Sequence, residues 1–357
     1  MPNPFFYGGR IENPDDFIGR KAELRRIFSA LETNHTGQVQ HYSIVAPRRM
    51  GKSSLLYHVT QIFPAYLQNP EKYRFVYLNL DDARCHTRPG LLSHILDRLK
   101  IAHPRRPSLV DFQERIERAQ KREHFWPVLC LDEFEHLTRR KDEFPDEFFD
   151  AWRTMGSNNH LSFLTASKAT LKQLAEQDGL TSPFFSIFQI LELGEFSGAE
   201  ARDLLARGRT CDRPFNTYEI AQVLKLAGRH PAKLQIAASE LYLAKENGGA
   251  ADARVWQRAY QRQVEYIFGK QPAPRSKALN WLRSGWHAFD GGVLVPLGRW
   301  ALELLKRENV STATARITGL LSSQRSARCF WAFSAWMTCK PGSVIRVCTV
   351  NPGDCKP

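Results

Sequence analysis

The chain has 357 residues, which is long enough for two or three domains with sizeable cores. Hydrophobic residues make up 43% and charged residues 24%, the proportions of an ordinary globular protein, and no apolar run predicts a membrane-spanning helix. The formal net charge of +13 permits contact with nucleic acid or an anionic membrane surface but does not establish it. The first residues lack a basic stretch followed by an apolar one, so we expect no secretory signal and a cytoplasmic protein.

In chain order, apolar β-branched runs alternate with helical patterns as far as Leu193. Strands that alternate with helices are typical of a parallel α/β sheet, so residues 1–196 are predicted to form an α/β domain. The predicted strands are His41–Pro47, Phe75–Leu80, Val128–Leu131, Leu161–Ala166 and Phe188–Leu193, and the predicted helices are Lys21–Glu32, Lys52–Phe63, Pro89–Lys100, Leu109–Glu123, Glu147–Met155 and Thr170–Gln177.

After Leu193 the pattern becomes entirely helical, with few β-branched residues. Ser197 followed by Glu200 three residues later has the spacing of a capping box at a helix start. Residues 197–270 are therefore predicted to form a small all-helical domain placed as a lid. Its predicted helices are Gly198–Arg209, Thr217–Leu226, Ala232–Glu246 and Val255–Phe268.

The last part of the chain, residues 271–357, is harder to assign. It begins with a Pro-rich linker, and from about Ser322 it shows neither helix caps nor a hydrophobic period. A folded element should show agreement between propensity, pattern and turn chemistry, so we expect this extension to be poorly defined or aberrant. Its late cysteines lack the paired spacing of a zinc site.

The segment Ser43–Leu56 carries the strongest functional signal. A β-branched run leads into a loop that ends in Gly-Lys-Ser and continues as a helix, which is the order of a phosphate-binding loop, although Ala46 replaces the first glycine of the usual pattern. Lys52 would reach the β- and γ-phosphates, and the Ser53 hydroxyl would be a ligand of Mg²⁺. A basic surface turn is the alternative interpretation. The candidate nucleotide-binding residues here are Ala46, Arg49, Gly51, Lys52, Ser53 and Ser54.

An acidic pair, Asp132 and Glu133, follows the buried run Phe125–Leu131. The carboxyl ends of parallel strands face the ligand, so both carboxylates are predicted to lie near the phosphates. Asp132 would hold Mg²⁺, and Glu133 would act as the catalytic base on the attacking water. Taken alone, such a pair more often marks a solvated turn.

Together with the phosphate loop, four further segments resemble the AAA+-related P-loop ATPases of the STAND type and the archaeal-type ATPases close to them. Phe17–Leu24 resembles the entry that lines the adenine pocket, and Asp132–Leu137 resembles the Walker B segment. Ser162–Ser167 resembles the strand that presents a polar sensor, and Gly228–Pro231 resembles the turn of the helical lid. The order fits from about Asp15 to about Phe268. The departures are Ala46 and the absence of an obvious arginine finger.

The resemblance implies further nucleotide contacts. Phe17, Gly19 and Arg20 would lie near the adenine, although Arg20 could instead cap its own helix by pairing with Glu23. Either Thr165 or Ser167 would sense the γ-phosphate; alternation along a strand lets both share one face, so both stay candidates. The proline of the lid turn, Pro231, would pack near the nucleotide.

Aromatic residues at helical spacing, among them Phe148 and Trp152, are predicted to pack in the core rather than to stack on nucleic-acid bases. The basic run that includes Arg105 is more typical of a solvated loop than of a DNA contact.

The expected function is that of a bacterial or archaeal ATP-binding switch. ATP and Mg²⁺ would bind between the α/β domain and the lid, and their binding would be coupled to an unknown protein partner or to self-assembly. Hydrolysis is expected to be slow because no arginine finger is visible. The alternative is a DNA-binding, replication-initiator-like AAA+ ATPase, which would need a winged-helix domain after Arg275. A non-hydrolysing scaffold is a third interpretation, against which Glu133 argues.

Overall fold

The computed structural model describes residues 2–33, 39–247 and 253–269. All of them belong to one compact unit that spans Met1–Gln271. The predicted extension of residues 271–357, with its late cysteines and the segment from Ser322, lies outside the described residues. Within the described ranges, no helix combines the length and the apolar character needed to cross a bilayer.

The sheet has five parallel strands, which confirms the predicted α/β fold. Their spatial order is β2-β3-β4-β1-β5, so β4 lies between β1 and β3. The loops that leave β1, β3 and β4 therefore meet at one edge of the sheet, where open parallel sheets bind ligands. The strands are β1 His41–Val45, β2 Tyr73–Asn79, β3 Trp126–Asp132, β4 Ser162–Ser167 and β5 Phe188–Glu192.

Helices cover both faces of the sheet, and most boundaries shift by one or two residues from the sequence prediction. One short helix, α5, was not predicted. The helices of this part are α1 Lys21–Glu32, α2 Lys52–Ile62, α3 Arg88–Arg98, α4 Leu109–Glu123, α5 Glu135–Thr138, α6 Asp146–Ser157 and α7 Leu171–Asp178.

The central strand β3 is buried along both faces, which explains its continuous apolar sequence. Leu129 and Leu131 pack into the cluster formed with α3, α4, α6 and α7. Val128 and Cys130 face the opposite cluster, formed with α1 and α2. Side chains that alternate between two apolar clusters lock the strand register, and so they fix where Asp132 emerges at the carboxyl end.

The remaining described residues are helical, as expected. The capping box of Ser197 and Glu200 is present at the start of α8, and the predicted helix to Arg209 ends earlier, at Ala206, before a short 3₁₀ turn. These helices enclose their own apolar cluster, whose largest buried side chain is Trp256. The domain division at residue 197 stays a prediction. The helices are α8 Gly198–Ala206, α9 Thr217–Ala227, α10 Pro231–Glu246 and α11 Ala253–Phe268.

Candidate nucleotide-binding site

The loop from Ala46 to Gly51 joins β1 to α2 and bends through two left-handed residues, Arg49 at φ 65° and Gly51 at φ 91°. A Cβ added at Gly51 would meet no atom within 4 Å. Glycine is therefore favoured here by the backbone conformation and not by lack of space. The left-handed conformation is strained for Arg49, and backbone strain of this kind concentrates at functional sites.

Lys52, the first residue of α2, folds back over this loop. Its Nζ donates to the carbonyl oxygens of Ala46 at 2.8 Å and Pro47 at 3.1 Å. Burial lowers the pKa of Lys52, while the nearby carboxylates, with Glu133 the foremost, oppose that shift. The ammonium group is thus held at the loop with only backbone carbonyls as direct partners, so it can transfer to phosphate oxygens.

The start of α2 fits an anion. Gly51 supplies no side-chain cap, and the first turn of α2 contains no acidic residue. By contrast α4, α7, α8 and α9 each begin with a capping box that occupies their first N–H groups. The positive end of α2 and its free N–H groups are therefore available to a phosphate. Ser53, the candidate Mg²⁺ ligand, lies in this first turn and is half-buried.

Asp132, the last residue of β3, is buried with 1% of its surface exposed. Its Oδ2 accepts a hydrogen bond from the Tyr77 hydroxyl at 2.8 Å, and its Oδ1 accepts one from the Glu133 N–H at 3.0 Å. Both oxygens are therefore oriented before any ligand binds. A carboxylate at this position suits the oxygen-rich coordination that Mg²⁺ prefers.

Glu133 adopts a left-handed backbone conformation, with φ 54°. Lys168, directly after β4, places its Nζ 3.9 Å from Glu133 Oε2 and 2.8 Å from Glu135 Oε1. Glu135 is 1% exposed. We call Lys52, Asp132, Glu133, Glu135 and Lys168 the carboxylate–lysine cluster.

The two glutamates of this cluster differ in proton affinity. Burial raises the pKa of Glu133, and the Glu135 and Asp132 carboxylates raise it further. Burial is the largest influence on Glu135 and favours its protonated form, but the contact with Lys168 and the hydrogen bonds from the backbone and from Glu133 together lower the pKa of Glu135. Glu133 is therefore the better proton acceptor, as a general base requires.

The two sensor candidates, Thr165 and Ser167, are both fully buried. Ser167 is the last residue of β4 and is paired with Val45 of β1, and its hydroxyl donates to the Ala169 carbonyl at 2.7 Å. Thr165 lies two residues deeper, and its Oγ1 has no hydrogen-bond partner. Ser167 is at the sheet edge beside the phosphate loop, whereas Thr165 has the unsatisfied hydroxyl.

The segment before α1 lies against the phosphate loop. Phe17 stacks on the ring of His58 with centroids 3.9 Å apart, and Gly19 is left-handed, with φ 75°. The Arg20 guanidinium pairs with Glu23 at 3.2 Å, the contact expected if Arg20 caps its own helix. It also donates a hydrogen bond to the Met50 carbonyl at 3.2 Å. Arg20 thus stabilises the phosphate loop through its hydrogen bond to the Met50 carbonyl.

Two of the residues predicted to contact the nucleotide, Ser54 and Pro231, are held by contacts within the protein. The Ser54 hydroxyl accepts a hydrogen bond from the Ile11 N–H at 3.0 Å, so the phosphate contact available to Ser54 is its backbone N–H. Pro231 is buried as the first residue of α10. The turn before it is tied to the segment after β5 through the Phe196 N–H, which donates to the Arg229 carbonyl at 3.0 Å.

Residues 115–269 match a family model described as Novel STAND NTPase 2. The acidic strand end and the polar strand β4 lie within the matched residues, whereas the phosphate loop precedes them. The chain has the fold of a P-loop NTPase, and its residues 115–269 are similar to a family of STAND NTPases. No comparable match is found among curated protein sequences.

Solved structures share the fold of this chain. A Walker-type ATPase of Pyrococcus abyssi is 17% identical with a TM-score of 0.55, covering 77% of this chain and 80% of that one. The ORC2 protein of Aeropyrum pernix, solved as ADPNP-ADP complexes, is 14% identical with a TM-score of 0.58, covering 94% and 88%. The ORC1 protein of the same organism, in complex with DNA, is 16% identical with a TM-score of 0.51, covering 86% and 82%.

Sequence patterns assigned no role to Lys168 or to Tyr77, which contact the predicted acidic residues. Lys168 could have been noticed as a cation directly after the polar strand. Tyr77 carries no local signal, because its contact with Asp132 depends on the pairing of β2 with β3, where Leu78 lies opposite Leu131 and Asn79 opposite Asp132.

Proposed function

We propose that this NTPase is an ATP-binding switch that hydrolyses ATP slowly and couples its nucleotide state to a protein partner or to self-assembly. The observation that carries the proposal is the convergence of Lys52, the buried lysine of the phosphate loop, with Asp132 and Glu133 at the carboxyl edge of the sheet, where β1 and β3 end on either side of β4. Residues 1–196 would bind the nucleotide, and residues 197–270 would act as the lid.

Each group has a distinct role in this proposal. The N–H groups of Gly51 and the first turn of α2 bind phosphate oxygens, and Lys52 moves from the loop carbonyls to the β- and γ-phosphates. Ser53 and Asp132 would hold Mg²⁺, which supplies charge neutralisation at the phosphates when bound. Glu133 accepts the proton of the attacking water.

Slow hydrolysis follows from the charges around the γ-phosphate position. Lys52 and Lys168 are the cations of the carboxylate–lysine cluster, and Lys168 is engaged with Glu135 at 2.8 Å. An arginine finger accelerates phosphoryl transfer by roughly 10³–10⁵-fold. Within the part of the chain that the structure describes we assign no arginine to this role, so a long-lived ATP state is expected, which suits a switch.

Titration calorimetry with ATP and Mg²⁺ tests the binding step. Lys52→Ala should weaken ATP binding about 100-fold, because a charge-assisted phosphate contact is worth up to roughly 3 kcal/mol. Lys172→Ala, which removes an exposed lysine of α7, is the matched control and should bind ATP normally. Unchanged affinity in folded Lys52→Ala would refute the site.

Light scattering after size-exclusion chromatography tests the switch. The mass of the wild-type chain, alone and with a protein partner, is compared with and without ATP·Mg²⁺. A nucleotide-dependent mass in the wild type that Lys52→Ala does not show is the expected result.

DNA binding is the second candidate function, and the likeness to the ORC1 protein solved with DNA is what favours it. We rank it lower because the sequence after Arg275 shows no clear run of helices followed by a hairpin, the pattern expected of the winged-helix domain that this function requires. Binding of duplex DNA at two salt concentrations separates the candidates. Tight, sequence-selective binding at physiological salt would reverse the ranking, whereas weak binding without sequence preference is expected.

A further inference from the structure

To hold a metal ion in a fixed geometry, the Asp132 carboxylate must not rotate. One of its oxygens is bound by the N–H of the next residue, Glu133, and the other by the hydroxyl of Tyr77, at 3.0 and 2.8 Å. The first contact is local and follows from the turn after β3. The second comes from the neighbouring strand β2. Tyr77 therefore fixes the orientation of the Asp132 side chain, which the backbone of β3 does not determine by itself.

Tyr77 is a dependable donor. Burial raises the pKa of Tyr77, and the adjacent Asp132 raises it further. The hydroxyl therefore stays protonated across the physiological range and keeps its hydrogen bond to the carboxylate.

Arg10 holds the ring of Tyr77 in place. Its guanidinium carbon lies 4.3 Å from the ring centroid of Tyr57, on α2, and 4.8 Å from that of Tyr77. The two rings meet edge to face with centroids 5.3 Å apart. The Nε of Arg10 is buried without a hydrogen-bond partner, and its Nη2 pairs with Glu12 at 3.1 Å. The cation therefore has one carboxylate and the two rings as its contacts.

The position of Tyr57 connects this stack to the predicted metal site. Ser53 and Tyr57 are four residues apart on α2, so they share one face of the helix. Arg10 thus contacts the helix that carries one predicted Mg²⁺ ligand and the tyrosine that orients the other, Asp132.

The segment that supplies Arg10, residues 3–12, is attached at several points. Ile11 donates its N–H to Ser54, as described above, and the Tyr7 carbonyl accepts from Arg49 at 3.2 Å. Nearer the start of the segment, Phe5 stacks on Phe215 with ring centroids 5.5 Å apart. The segment therefore joins the phosphate loop to the helical part of the chain.

We propose that Tyr77 and Arg10 are positioning residues that orient the Asp132 carboxylate for Mg²⁺, and that residues 3–12 supply this arginine while joining the phosphate loop to the helical part. The proposal rests on the ATP·Mg²⁺ site proposed above. It assigns a role in metal binding to a segment that precedes all the recognisable motifs.

The test is calorimetric titration of the full chain with ATP, first in EDTA and then over a series of MgCl₂ concentrations. Tyr77→Phe keeps the ring and removes the donor, and it should raise the half-saturating Mg²⁺ concentration about tenfold, the effect of losing one charge-assisted hydrogen bond. Arg10→Ala should raise it about threefold to fivefold. Affinity for ATP in EDTA should stay within about twofold of wild type, because neither residue contacts the phosphate loop lysine.

The same strand offers matched controls. Tyr73→Phe also removes a β2 hydroxyl that donates a hydrogen bond, in this case to the Leu31 carbonyl at 2.8 Å. Arg74→Ala removes a guanidinium stacked 3.9 Å from the ring of Phe125. Both should leave the Mg²⁺ dependence unchanged. Arg10→Lys keeps the charge without the planar stack and should fall between wild type and Arg10→Ala.

The outcomes separate this proposal from the one on which it rests. If the wild-type chain does not bind ATP, both fail. If it binds ATP and Tyr77→Phe and Arg10→Ala show the Mg²⁺ dependence of the two controls, only the positioning role fails. A parallel loss of ATP affinity in EDTA would also overturn it, since that result indicates general damage to the site. Should one of the two variants not fold, the other decides.

Discussion

Two regions of the molecule are built on opposite principles. Around α6 an aromatic cluster of Phe148, Phe149, Trp152, Phe163 and Phe184 is fully buried, and each ring packs on others of the cluster. At the carboxyl end of the sheet the carboxylate–lysine cluster has buried charges, and Glu133 has a left-handed backbone.

This difference separates stability from function. Burying an apolar ring stabilises the folded state, whereas burying a charge destabilises it unless that charge is paired. The aromatic cluster therefore stabilises the fold, and the carboxyl end of the sheet holds groups whose strain and desolvation a bound nucleotide and metal could relieve.

The largest expected effect is in the aromatic cluster. Trp152→Ala should lower the free energy of unfolding by about 4 kcal/mol, the cost of truncating a large buried aromatic residue. Trp152→Phe should cost less, because the indole N–H of Trp152 is buried without a partner and the ring contacts survive. Urea denaturation measures both. Equal losses for the two substitutions would contradict the packing role of the ring.

A second prediction concerns pH and His41, whose ring contacts Phe163 of the aromatic cluster. Burial lowers the pKa of His41 to about 4, and its Nδ1 accepts the Phe163 N–H. A depressed histidine pKa means that the neutral form stabilises the fold; this contribution is complete above the unfolded value of about 6.5 and is lost as the pH falls towards 4. The loss should amount to roughly 3 kcal/mol.

Urea denaturation between pH 7 and pH 4 checks this slope. His41→Asn keeps an acceptor for the Phe163 N–H but does not titrate, so its stability should fall less over this range. His124→Asn, at an exposed left-handed position after α4, is the control and should keep the wild-type slope. An unchanged slope in His41→Asn would show that another group causes it.

The smallest stability effect, and one of opposite sign, is expected at the carboxyl end. The raised pKa of Glu133 means that its ionisation destabilises the fold, so stability is lost as the pH rises from about 4.5 through the folded pKa. Glu133→Gln cannot ionise. It should be slightly more stable than wild type at pH 7 to 8, with a difference that shrinks as the pH falls towards 4.5.

The same substitution should stop ATP turnover while ATP stays bound, because an amide cannot accept the proton of water. Thermal denaturation across pH and a phosphate-release assay measure the two effects, with Glu114→Gln of α4 as the exposed control. Turnover at the wild-type rate would exclude Glu133 as the base, and lower stability at pH 8 would contradict its strained ionisation.

Much of the fold could be predicted because local patterns and tertiary contacts agree. β3 is apolar throughout since it is buried on both faces, and α8 begins at its capping box. The sequence predicted helix positions less well where tertiary contacts, and not local sequence patterns, determine where a helix forms or ends. The short helix α5 has no period to detect, and α8 ends at Ala206 although its helical pattern continues.

For the candidate site, the sequence by itself determined the order of the chemical groups: a phosphate loop with Lys52 and Ser53, then an acidic pair, then a polar strand. These signals are local, because each depends on residues that are neighbours along the chain. The family match over residues 115–269 covers the acidic pair and the polar strand.

Only the tertiary structure decided which groups orient the others. Lys168 meets Glu135 because β4 lies beside β3, and Tyr77 reaches Asp132 because β2 pairs with β3 in one register. Arg10 stacks between two rings that belong to different elements. Such contacts join residues that are far apart in the chain, and their geometry depends on the packing of the whole sheet, which no short sequence window contains.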